Sequence, residues 1–60
     1  MYQPEFPFLR MRVGEYLFVP CLDLVGVTHA GYKAAAQQQV RVTAAECIYK
    51  GMLGVMFRLR

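Results

Sequence analysis

Residues Val40 to Arg60 read VRVTAAECIYKGMLGVMFRLR, and the fold turns on how they alternate. Val40 and Val42 flank Arg41, while Leu53, Val55, Phe57 and Leu59 alternate with Met52, Gly54, Met56, Arg58 and Arg60. A period of two belongs to a β-strand, whose successive side chains point to opposite faces. The spacing therefore predicts a strand over residues 52–59. Two readings compete for the residues in between. Thr43-Ala44-Ala45-Glu46 has the spacing of a capping box, and Gly51 stands where a glycine would stop a helix over residues 44–50. Alternatively Lys50-Gly51 turns a hairpin, with Tyr49 opposite Met52, Ile48 opposite Leu53, Ala44 opposite Phe57 and Val42 opposite Leu59. Cys47, Ile48 and Tyr49 favour strand, which tips the balance to the hairpin. That register sets Glu46 opposite Val55 on the apolar face, a local violation.

Upstream of this stretch the signals are weaker. Tyr32 to Gln39 holds three alanines and three glutamines, good helix formers without a clear cap or apolar stripe, and reads as a short helix or a polar strand. His29-Ala30-Gly31 reads as a turn. Leu22 to Thr28 reads as a short strand in which Gly26 marks a weak point or a bulge. Leu9 to Val19 has strand character, with Gly14-Glu15 as a hairpin loop or as the bend of one long strand, and Pro20 ends it. Residues 1–8, with Pro4 and Pro7, suit an extended N-terminal arm. Phe6 and Phe8 on that arm need a docking place, either the edge of this domain's own core or a neighbouring chain.

The whole, residues 1–60, reads as one small domain. Its expected class is mainly β: a small curled antiparallel sheet, or a partly open SH3-like barrel of about four or five short strands, with at most one or two short helices. The alternative is an α+β fold with a helix at 44–50.

A chain of 60 residues buries too little surface to be more than marginally stable alone, and such domains add disulfides, a metal or a second chain. Cys21 and Cys47 are too few for a disulfide framework and read as free buried thiols, one internal disulfide being the alternative. With His29 they have no metal-binding spacing, so no metal is expected. Association is left. At 57% hydrophobic the chain carries more apolar surface than it can hide, yet charged residues and Pro20 break every run before membrane-spanning length. A homo-oligomer or a docked protein partner follows, with no membrane. The start Met-Tyr-Gln-Pro-Glu-Phe-Pro lacks the pattern of a signal peptide, which points to the cytoplasm.

The supply of catalytic groups is thin. Serine, asparagine and tryptophan are absent from the sequence, the acids are scattered, and no glycine pattern matches a phosphate loop. Cys21 or Cys47 with His29 is the sole pairing for covalent chemistry, and no spacing supports it. The expected function is non-enzymatic, without cofactor or small-molecule substrate: a small interaction module, adaptor-like or inhibitor-like, that self-associates or docks on a larger protein. Tyr49, Met52, Met56, Arg58 and Arg60 share one face in the hairpin register and are the expected partner-binding residues, since adaptable methionines suit contact surfaces. Net charge is +3, and on the same face Arg41 stands opposite Arg60. Like charges across a ladder repel unless an anion or an acidic partner sits over them. Arg41, Tyr49, Arg58 and Arg60 are accordingly the candidate contacts for the alternative function, nucleic-acid binding.

Overall fold

The computed structural model describes residues 6–60. A short 3-10 helix, Phe8–Arg10, leads to strand β1 (Tyr16–Pro20), helix α1 (Leu24–Gln37), and the hairpin of β2 (Val42–Tyr49) and β3 (Met52–Leu59). The three strands form one antiparallel sheet in the order β1-β3-β2. This is the small antiparallel sheet with a helix that the alternation implied, with three strands among the described residues where four or five were expected.

The hairpin forms in the register read from the alternation, Tyr49 opposite Met52 through Val42 opposite Leu59. Lys50 and Gly51 both have positive φ, 51° and 79°, as a two-residue turn matched to strand twist requires. A helix over 44–50 is thereby excluded. Glu46 does lie opposite Val55, but β2 is an edge strand, so the carboxylate reaches water past the rim of the sheet.

Two expected strands are absent among the described residues. Of Leu22 to Thr28, the residues from Leu24 on begin α1, whose true extent is Leu24–Gln37, and Leu22 precedes its Asp23 cap. Its β-branched residues are outvoted by the cap and by burial. Asp23 accepts a hydrogen bond from the Gly26 N–H (3.1 Å), satisfying a donor that the first turn leaves free. The buried stripe runs through Leu24, Val27, Gly31, Ala34 and Ala35, at helical spacing but built largely from residues too small to register as hydrophobic. His29, Ala30 and Gly31 are helix interior, not a turn. At the other end Gln39 takes a left-handed φ of 59°, and the Val40 and Gln39 N–H groups donate back to the Ala35 and Ala36 carbonyls (3.0 and 3.2 Å). This is a Schellman stop with glutamine in the place glycine usually fills.

The Leu9–Val13 strand is likewise replaced. Leu9 and Val13 are exposed and only Met11 packs inward. The Glu15 N–H donates to the Arg12 carbonyl (3.0 Å), closing a turn with Gly14 at its third position and φ of 92°. The Gly14 N–H then donates to the Leu59 carbonyl while the Leu59 N–H donates to that of Glu15 (2.8 and 3.0 Å). Two residues thus face one, a glycine bulge that feeds the chain into β1. Gly14-Glu15 is not a hairpin loop. Pro20 is the last residue of β1, as expected.

Of the N-terminal arm, residues 1–5 lie outside the described part. The described part of the arm folds onto the domain's own core. Phe6 and Phe8 are buried, stack at 5.5 Å, and each meets Phe57 edge-on at 5.3 and 5.9 Å. Of the two docking places the sequence allows, the one seen within this chain is its own core. The Gln38 side chain clamps this segment, its amide N–H donating to the Phe6 carbonyl (2.8 Å) and its oxygen accepting from the Leu9 N–H (3.3 Å). Val42, Val55, Leu59 and Ala35 complete the core between sheet and helix.

Candidate interaction face

A helix covers one side of this sheet, and among the described residues no element covers the other. An antiparallel sheet exposed on one face ordinarily turns polar residues to water. Here the outer face is apolar. Strand parity and register place Tyr16, Phe18 and Pro20 of β1, Met52, Gly54, Met56 and Arg58 of β3, and Thr43, Ala45, Cys47 and Tyr49 of β2 on it. Tyr16 is 63% exposed, Met52 51% and Tyr49 44%.

The centre of the face is organised by a missing side chain. A Cβ at Gly54 would lie 2.7 Å from the Phe18 ring and against the Val19 carbonyl, so the bare glycine lets Phe18 lean across β3. There its ring reaches Tyr49, two strands away, with centroids 5.3 Å apart. Tyr16, Phe18, Tyr49 and Met56 together line a shallow hollow. Cations mark both ends: the Arg58 guanidinium lies 5.7 Å from the Tyr16 ring centre, and the Lys50 ammonium 5.4 Å from that of Tyr49. Both are cation-π distances, which keep the charges over the rings.

The structure thus puts Tyr49, Met52, Met56 and Arg58 on one face as the alternation implied, with Arg41 bonded to Arg60 at one end of it through the Arg60 N–H and the Arg41 carbonyl (2.9 Å). Tyr16 and Phe18 escaped the sequence reading. Their alternation within Tyr-Leu-Phe-Val was visible, but nothing in the sequence states that β1 lies beside β3.

Neither cysteine is bonded. Cys47 lies on the outer face opposite Gly54, while Cys21 packs against the core and its N–H donates to the Leu53 carbonyl (3.1 Å). Burial first, and the nearby Asp23 carboxylate second, push the Cys21 thiol above its ordinary range. His29 is exposed beside Val25, Thr28, Tyr32 and Glu46, in a groove between α1 and β2, and neither cysteine lines that groove. The described residues contain no group of His, Cys, Asp and Glu arranged to hold a metal, and no helix long and apolar enough to cross a membrane. Compared with known families, curated proteins and solved structures, the chain gives no match.

Proposed function

We propose that this domain is a non-enzymatic protein-interaction module that docks on a larger protein through the outer face of its sheet. The observation that carries this is the apolar, aromatic surface of Tyr16, Phe18, Tyr49, Met52 and Met56 on the side of the sheet the helix leaves bare. Contiguous apolar patches of this kind mark contact sites on small proteins. Aromatic and methionine side chains at the centre with arginine at the margin is the composition of interface cores. Site-specific photo-crosslinkers test the reading. Placed at Thr43, beside the patch, the probe should give one discrete protein adduct in host extract, lost on Met52→Lys; placed at Lys33 on the helix it should give none. Equal labelling from both positions would sink the proposal.

A second reading has an observation of its own. Three rings on one sheet face, with Arg41, Arg58 and Arg60 at one end, also make a stacking platform with a phosphate-binding margin. Under that reading, a single-stranded oligonucleotide binds with strong salt dependence, and Arg58→Ala with Arg60→Ala reduces both affinity and salt slope. Affinity that ignores salt would end it.

A further inference from the structure

The two edges of the sheet are guarded unequally. At β1 the edge is five residues long, enters through the Gly14 bulge and closes on Pro20, which has no N–H to offer. At β2 it is eight residues long, VTAAECIY, without proline, glycine or lysine. The Arg60 N–H donates to the Arg41 carbonyl, so the odd-numbered residues of β2 bond to β3. Val42, Ala44, Glu46 and Ile48 accordingly turn their backbone groups away from the sheet. Among the described residues only the Ala44 N–H finds a partner there, the Tyr32 hydroxyl at 3.2 Å. Beside this edge stand Ile48, 72% exposed, and Val25, 78% exposed.

We propose that β2 pairs with β2 of a second copy of this chain, antiparallel about a twofold axis through Ala45. The inference extends the interaction reading above but uses the sheet edge, not its outer face. The register follows from the residues. Setting Ala45 opposite itself pairs Val42 with Ile48 of the second copy and Ala44 with its Glu46, so every outward backbone group from 42 to 48 finds a partner. On the outer face the same register pairs Thr43 with Cys47 and brings Arg41 over Tyr49. Moving the axis one residue toward the hairpin turn sets Glu46 against Glu46, a like-charge pair. Moving it one residue the other way leaves Ile48 without a bonded partner. To join, the Ala44 N–H leaves the Tyr32 hydroxyl for a carbonyl of the second copy. Tyr32 is therefore an internal competitor for the edge.

Sedimentation equilibrium of the full chain, combined with amide exchange at high and low protein concentration, tests this. A reversible dimer is expected, in which the Val42, Glu46 and Ile48 amides lose protection on dilution while those of Thr43, Ala45 and Cys47 keep theirs. Ile48→Lys and Glu46→Pro should each raise the dimer Kd on the order of tenfold or more, by charging the edge or removing an outward N–H. Tyr32→Phe should tighten the dimer. A monomer at every concentration overturns the proposal, as does a dimer indifferent to Ile48→Lys. A dimer lost on Met56→Lys but kept in Ile48→Lys would place the contact on the outer face and overturn it too. Should Glu46→Pro fail to fold, the wild-type exchange pattern decides alone. Loss of the outer-face adducts with the dimer intact would remove the docking reading and leave this one standing.

Discussion

The ring of Phe57 occupies the space that a side chain at position 31 would need, so Gly31 is what lets α1 lie close against β3. Phe57 is fully buried and meets Phe6 and Phe8 on its other sides. It has nowhere to retreat. Gly31→Ala should therefore destabilise by about 1 to 3 kcal/mol through overpacking, although alanine is the better helix former. Urea denaturation checks the sign: a more stable variant would mean that helix propensity outweighs the clash.

The opposite sign is expected where the backbone is left-handed without glycine. Gln39 at φ 59° and Lys50 at φ 51° each carry a side chain in a conformation that costs roughly 1 kcal/mol or more. Gln39→Gly should raise the denaturation midpoint, and so should Lys50→Asn, which makes the turn Asn-Gly. Unchanged midpoints would show that neither turn limits stability.

At the start of α1, Asp23→Ala should cost about 1 kcal/mol by removing the acceptor for the Gly26 N–H. Asp23→Ser should restore most of it. Thermal melts of the two variants decide, and equal losses would show that the carboxylate acts in some way other than as a cap.

Cys21 offers a prediction in pH. The thiolate is the reactive form, and both burial and the Asp23 charge oppose it. Alkylation of Cys21 by iodoacetamide, followed by mass spectrometry, should rise with pH through a midpoint above that of a free thiol. Asp23→Asn should lower that midpoint by removing the second cause. A midpoint at or below the free-thiol range would contradict the burial argument.

On the outer face, Met52→Lys should shift stability by no more than about 0.5 kcal/mol, since its side chain is largely exposed. Binding and folding then separate experimentally. A large loss of stability would mean that Met52 supports the sheet itself.

How much of this was legible in the sequence varied with the length of the pattern. Over Val42 to Leu59 the alternation is long and one-sided, and a slip of one residue would invert every side chain, so register and face could be read together. Over Leu22 to Thr28 the local preference of Val25, Val27 and Thr28 pointed to strand, and what overruled it lies far off in sequence: Phe57 and the sheet on which the helix packs. Alanine and glycine made the buried stripe invisible to a hydrophobicity count, because their role is to be small. Tyr16 and Phe18 were missed for another reason. A strand's composition states that it pairs, not with which neighbour.

That neighbour has a consequence for how the polypeptide is made. The strand at the middle of the sheet, β3, is the last of the three along the chain. During synthesis β1 emerges early and finds no hydrogen-bonding neighbour until residues 52–59 follow it out of the ribosome, some 35 positions later in the chain, and α1 has no Phe57 to rest against before then. Until that moment the nascent chain is apolar and unpaired. Premature termination anywhere before β3 yields not a smaller version of the domain but a chain with no sheet at all, suited to proteolysis or capture by a chaperone.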